Sequence, residues 1–173
     1  INDIPNSSKF LIYRKWESML MRCYSEKFLA KRPSYRGCSV CESWLTFSNF
    51  KKWVLTQEWE GLQLDKDLLS NNSKEYSPKN CVLITTQLNS FILDRANNRG
   101  NYLLGVSWHK RDKRFIAMCS NPFTKKRVHL GNFTEELNAH LVWKKYKHSL
   151  AVLYAEQISN PRLKQALLTR YVV

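Results

Sequence analysis

The sequence predicts an α+β chain of two modules, and three observations carry that reading. Two short apolar runs joined by a turn-rich loop and followed by a helical pattern span 62–94. Three strand-like runs and a longer helical pattern follow from 103 onward. Between them the polar stretch "RANNRGN" at 95–101 reads as a linker. A chain of 173 residues holds one domain or two small ones, and the linker sets the modules at 1–98 and 99–173.

In chain order, "SKFLIYRKWESMLMRCYS" (8–25) places Leu11, Trp16, Met19, Leu20 and Cys23 near helical spacing, with Ser7 or Ser8 as the expected cap. Pro33 breaks this helix and Gly37 turns the chain. "ESWLTFSNFKKWVLTQEW" (42–59) offers a second helical face of Trp44, Phe47, Phe50, Trp53 and Val54, whose aromatics at this spacing read as core rather than as base-stacking platforms. Strands are expected at 62–67 and 80–84, and Thr85 or Thr86 should cap a helix running to about Asp94. "LLGVSWHK", "RFIAMCS" and "KRVHLGNF" read as three strands with basic turns between them. A helix should start at "TEE" from Thr134, where acids meet the positive helix end, break near Pro161, and give way to a last short helix.

Charge is the first functional clue. The chain carries 28 Lys+Arg against 14 Asp+Glu, a net +14, which favours a polyanionic partner, nucleic acid ahead of an acidic membrane surface. The excess is uneven: residues 1–98 hold 14 basic and 10 acidic residues, and residues 99–173 hold 14 and 4. No run approaches the roughly 20 apolar residues of a membrane span. Five cysteines, an odd number, do not read as a secreted disulfide framework, so a reducing cytoplasm is the expected compartment. Cys38-Ser-Val-Cys41 has zinc-knuckle spacing that Cys23 and Cys81 would complete. The competing reading, buried free thiols packing the helices against the hairpin, is preferred because no second C-x-x-C exists.

Within "LDKDLLSNNSKEYSPKNCVLITTQLNS" (64–90), an acid at a strand end, a turn-rich loop and two asparagines nine residues apart stand out. With "RKWESMLMRCY" and "GCSVCESWLTFSNF" upstream, residues 10–95 resemble the phage-type HNH endonucleases, which include homing enzymes and use a ββα-metal module. The resemblance implies that Asp65 is the metal-binding acid, Asn80 the loop-bracing asparagine and Asn89 the helix ligand of a magnesium or manganese ion. It puts Lys66 in the slot of the usual histidine base. All four histidines (His109, His129, His140, His148) lie in the other half. A lysine beside Asp65 and Asp67 stays charged at neutral pH. Lys66 is therefore expected to hold the scissile phosphate, with water activation left to the metal or to a tyrosine such as Tyr35 or Tyr76. Loss of a general base costs about 10²–10⁴-fold, so a slow nuclease remains the expectation.

Residues 101–147 resemble the plant ethylene-response-factor DNA-binding domain, a three-stranded antiparallel sheet backed by a helix, through Gly105, Val106, Trp108, Arg114, "HLGNF" at 129–133 and Ala139. The resemblance implies a double-stranded DNA partner, and such a sheet fits the major groove. Lys110, Arg111, Lys113, Lys125, Lys126 and Arg127 are expected to clamp phosphates, and Trp108 and Arg114 to reach bases or sugars. Alternation is read as sending Trp108, Lys110 and Arg114 to one face or its rim, with Val106, Ile116 and Leu130 on the helix. His140, Lys144 and His148 are read as a surface stripe. The expected function is a metal-dependent, DNA-nicking HNH-type endonuclease working in a bacterial host's cytoplasm. Its rivals are an inactive DNA-binding regulator on the same scaffold and a host-takeover interaction protein.

Overall fold

The computed structural model describes residues 1–69, 73–94 and 101–172, a mixed α and β chain. It divides into two compact units, Ile1–Asn89 and Ser90–Val173. The expected linker at 95–101 lies, except for Asn101, outside the described residues.

In the first unit, helix α1 (Leu11–Tyr24) buries Ile12, Trp16, Met19 and Cys23, a four-three-four spacing that makes one apolar stripe. No serine caps it. A short 3-10 turn at Ser7–Lys9 intervenes, Phe10 takes the N-cap position, and the Ser7 hydroxyl donates to Asn2 Oδ1 at 2.8 Å instead. A separate helix, α2 (Glu26–Lys31), is capped by Ser25 and ends before Pro33. The helical face expected over 42–59 is shorter. It consists of a 3-10 turn at Glu42–Leu45 and helix α3 (Phe47–Leu55), separated at Thr46, which is extended.

Strand β1 (Ser39–Val40) pairs in parallel with β3 (Glu75–Tyr76). Strand β2 (Gln63–Asp65) runs antiparallel to β4 (Val82–Ile84), with Gln63 opposite Ile84, Leu64 opposite Leu83 and Asp65 opposite Val82. Helix α4 (Thr86–Ile92) follows, its first turn capped by Thr85 Oγ1, which accepts from the Leu88 N–H at 3.1 Å. The aromatic residues are core, as their spacing suggested: Trp44, Phe47 and Phe50 are at most 1 % exposed, and the buried Trp16 indole N–H donates to Trp44 O at 2.7 Å. Leu64 and Leu83 join this cluster, which fixes which side of the β2–β4 pair faces inward.

The second unit is an antiparallel sheet, β5 (Val106–His109), β6 (Arg114–Ser120) and β7 (Arg127–Phe133) in that order, with two helices, α5 (Glu136–Glu156) and α6 (Pro161–Arg170). Helix α5 begins two residues later than the "TEE" signal suggests; its N-cap Glu135 makes no capping bond and accepts instead from the Asn138 amide at 3.1 Å, while the Glu136 carboxylate accepts from the Leu103 N–H at 2.5 Å. Asn160 caps α6 from the Arg162 and Leu163 N–H groups, with Pro161 in the first turn.

Two features hold this unit together. Gly105 has φ +77°, and a Cβ there would lie 2.0 Å from the Trp143 ring, so helix and sheet meet only because the side chain is absent. Lys147 is buried on α5. It donates to the Phe91 carbonyl at 2.7 Å and stands over the Phe91 ring at 3.5 Å, with the Trp143 and Tyr171 rings at 6.0 and 5.7 Å. Burial lowers its pKa to about 8, opposed by Cys119 and aided by the Arg170 charge.

The Gly105→Ala variant is expected to lose about 3–5 kcal/mol of stability in the second unit, from overpacking plus left-handed strain. Denaturant melts followed by tryptophan fluorescence check it; an unchanged midpoint contradicts the close approach. Lys147 gives a pH signature. Below pH 8 it is charged both folded and unfolded. From about pH 8 to the ordinary 10.5, only the unfolded chain keeps the proton, so its contribution to stability rises with pH. The stability difference between the wild type and Lys147→Met should therefore be flat below pH 8 and shift in favour of the wild type up to about 10.5. Tyr171, whose pKa burial raises, pulls the opposite way in both proteins. A difference independent of pH refutes the buried charge.

Candidate hairpin site and basic sheet

The hairpin site follows from the parity of β2. Leu64 faces the aromatic core, so Gln63 and Asp65 point to the opposite face, together with their partners Ile84 and Val82. Asp65 is buried, and its Oδ1 accepts from the Leu68 N–H at 2.9 Å, an arrangement that stiffens the turn and orients the carboxylate. From α4, the Asn89 carboxamide donates to Gln63 Oε1 at 2.7 Å. The acid and the partner of the helix amide, Asp65 and Gln63, thus share one face of β2, two residues apart along it. The Asn89 contact is with Gln63, which sequence reasoning passed over. Its shared parity with Asp65 was the available signal.

Lys66 follows Asp65 directly after β2. It is buried, pairs with the largely exposed Asp67, and lies 5.8 Å from the Tyr76 ring. Burial works to lower its pKa, but the hydrogen bond and charge of Asp67, joined by Cys38 and Asp65, outweigh burial and hold it above the ordinary value. Tyr76 is no candidate base: burial pushes its phenol up strongly, against the lowering effect of its hydrogen bond to Arg22. The Asn80 carboxamide donates to the Ser73 hydroxyl and to the Glu75 carbonyl, both at 3.1 Å, closing the loop between β3 and β4.

The cysteines are all free thiols. Burial raises Cys23 to about 11 and Cys81 to about 12, so both are neutral packing groups at neutral pH. Cys23, Cys38 and Cys81 belong to the aromatic core, with Cys41 packed at its edge. Among the described residues no three His, Cys, Asp or Glu side chains gather as a metal site.

In the second unit the register corrects one expectation. Val106, Ala117 and Cys119 are buried, and Trp108 and Phe115 share their parity, so Trp108 lies on the helix-facing side, 4.7 Å from the Phe115 ring. Arg114 and Ile116 lie on the other face. Trp108 and Arg114 therefore do not share a surface, and Ile116 does not pack on α5. The open face carries Ser107, His109, Arg114, Ile116, Met118, Ser120 and Arg127, joined by His129 and Asn132, whose Nε2 and Oδ1 are 3.1 Å apart. The exposed Lys110, Arg111 and Lys113 ring the β5–β6 turn, where Arg111 Nε donates to Asp112 at 2.8 Å; Lys125 and Lys126 ring the β6–β7 turn. His140 is not a free surface group: its Nδ1 is 2.9 Å from Leu104 O and its ring stacks on Trp143.

Both turns hold a lysine in the left-handed region, Lys113 at φ 49° and Lys125 at φ 57°. That conformation favours glycine and costs an L-residue about 1–2 kcal/mol. In the second turn Asn121 Oδ1 accepts from the Phe123 and Thr124 N–H groups, and its amide donates to the Tyr146 hydroxyl at 3.1 Å, which secures the strained loop.

Compared with known proteins, the chain matches no family model, no curated protein and no solved structure. No helix among the described residues is long and apolar enough to cross a membrane.

Lys113→Gly is expected to stabilise the chain by about 1 kcal/mol by relieving the turn, less the entropy glycine adds to the unfolded state. Chemical denaturation measures it, and a loss of stability contradicts the strain.

Proposed function

We propose that this chain is a DNA-binding, metal-dependent endonuclease of the HNH type. The observation that carries the reading is the strand–loop–strand–helix unit in which Asp65 and the Asn89-bound Gln63 occupy one strand face. Asp65 and the amide oxygen of Asn89 are hard oxygen donors of the kind magnesium or manganese takes, alongside water and phosphate. When bound there, the ion supplies positive charge for the phosphorane and the leaving 3′ oxygen.

The chain's own groups do the rest. Lys66 stays protonated and sits next to Asp65 in sequence, so it can take a phosphate oxygen in exchange for its exposed partner Asp67. Asn80 keeps the loop closed while the substrate is held. The turn cations Lys110, Arg111, Lys113, Lys125 and Lys126, with Arg127, contact the phosphates of double-stranded DNA, and Arg114 reaches base edges from the open sheet face. One such site per chain favours a nick.

A second reading is a DNA-binding regulator that keeps the hairpin as scaffold. It is favoured by Lys66 standing in the histidine slot, tied to Asp67, with no third acidic or histidine ligand nearby among the described residues.

Asp65→Ala, and Asp65→Asn, which keeps an acceptor for the Leu68 N–H, should abolish magnesium-dependent plasmid nicking and leave DNA affinity within about twofold of wild type. Wild-type protein that nicks no duplex with magnesium or manganese selects the regulator instead. If about six side chains neutralise phosphates, log K falls with log salt at a slope near −5, and Lys113→Gly makes it shallower by about 1. A salt-independent affinity removes DNA from the proposal.

A further inference from the structure

A cleft of about 430 Å³ lies beside the hairpin site in the first unit, lined by one flank of α1 and by the segment leading into β2. Arg14, Ser18 and Arg22 repeat every four residues, and Lys15 adds a third cation to the same wall. Trp59, Leu62 and Gln63 form the opposite wall, and among the described residues no acidic one lines the cleft. Its size falls within the range of about 300–1,000 Å³ that ligand sites occupy.

Two of the three cations are anchored by the chain itself. The Lys15 ammonium donates to the Leu62 carbonyl, and Arg22 is hydrogen-bonded to Tyr76. These ties tack α1 to the strand segment and fix the positive charge in place before any ligand arrives. Arg14 is exposed at the mouth, and Trp59 is half-buried with its body against the aromatic core. A cationic wall facing an aromatic ring is what a sugar–phosphate chain with a stacked base requires. The lining includes Gln63, whose Oε1 accepts from Asn89, and Leu64, and Asp65 follows on the strand face of Gln63 about 7 Å further along.

We propose that this cleft is the track for the DNA strand that is cut, with Arg14, Lys15 and Arg22 taking its backbone phosphates and Trp59 stacking against a base or sugar flanking the scissile bond. The assignment rests on the nuclease reading for the word "cut", but binding in the cleft does not need cleavage to be observed.

Ser18 gives the cleanest test, because it lies at the middle of the cationic row and a glutamate there adds a charge without removing a contact. Glutamate is also the better helix former. Full-length Ser18→Glu should bind a duplex oligonucleotide about tenfold more weakly than wild type in metal-free buffer, whereas the neutral Ser18→Gln stays near wild type. A bromodeoxyuridine-substituted duplex, irradiated with the wild type without metal, should crosslink to Trp59, read by mass spectrometry of the peptides. That crosslink should be lost in Ser18→Glu and kept in Ser18→Gln. Crosslinks confined to the 99–173 segment, or a Ser18→Glu variant indistinguishable from wild type, overturn the cleft assignment. If Asp65→Asn abolishes nicking while Ser18→Glu changes neither nicking nor crosslinking, the cleft is refuted and the nuclease stands. If nothing nicks DNA but the Trp59 crosslink forms and Ser18→Glu removes it, the cleft stands as a DNA site and the nuclease falls.

Discussion

The candidate site depends on the parity of a three-residue strand. Because successive side chains alternate, putting Leu64 into the aromatic core puts Gln63 and Asp65 on the other face, and a slip of one residue would exchange them. The magnitudes decide the register. Burying leucines such as Leu64 and Leu83 contributes about 1.5–3 kcal/mol each, while leaving a carboxylate in that core without partners would cost more than either gains. The apolar side therefore sets the register. The carboxylate of Asp65 is tolerable in its buried position because the Leu68 N–H bonds it and the Lys66 charge stands beside it in the chain. The core that imposes this choice is aromatic and tightly tied, with the Trp16 indole bonded to the Trp44 backbone across 28 residues of sequence.

The second unit solves the same problem with a sheet of unlike faces. Val106, Ala117 and Cys119 turn toward α5, where small side chains and Gly105 let the Trp143 ring approach the backbone. That leaves, on the side of the sheet away from α5, a face of mixed polar, basic and sulfur-bearing groups flanked by two basic turns. Of the cations in residues 99–173, Lys110, Arg111, Lys113, Lys125 and Lys126 are exposed at those turns, whereas Lys147 is buried on α5.

What the sequence disclosed was whatever depends on near neighbours. The strand–loop–strand–helix order, the three-strand meander and the break at Pro161 all rest on local turn chemistry and period, and the elements stand close to where those signals put them. Cap positions were less legible: Ser7, Ser8 and Thr134 all have capping chemistry, yet Ser7 bonds Asn2 and Glu136 bonds Leu103, partners set by tertiary packing. The faces of β5 and β6 were misread because residue type was followed rather than parity. Trp108 cannot part from Val106, nor Ile116 from Arg114, without a bulge inside those stretches, and the irregularity lies further on, between Ala117 and Met118. The cleft on α1 could not be read at all. Arg14, Lys15 and Arg22 look like the wet side of an ordinary amphipathic helix until residues 59–64 pack against them, and the Lys15–Leu62 contact spans 47 residues.

Four lysines sit where a lysine is locally unfavourable, and their surroundings sort them. Lys147 is buried, but it satisfies the Phe91 carbonyl and three aromatic rings share its charge, so the fold itself accounts for it. Lys66 is buried next to Asp65 in the chain and is paired with Asp67, a partner exposed enough to be exchanged. Lys113 and Lys125 are exposed, bury nothing, and strain the backbone at the two sheet turns where glycine would be easier. Backbone strain and buried charge collect at functional sites more often than elsewhere, so an observed outlier is a ground for a functional hypothesis. By that criterion packing accounts for Lys147, while the phosphate contacts proposed above would account for Lys66, Lys113 and Lys125.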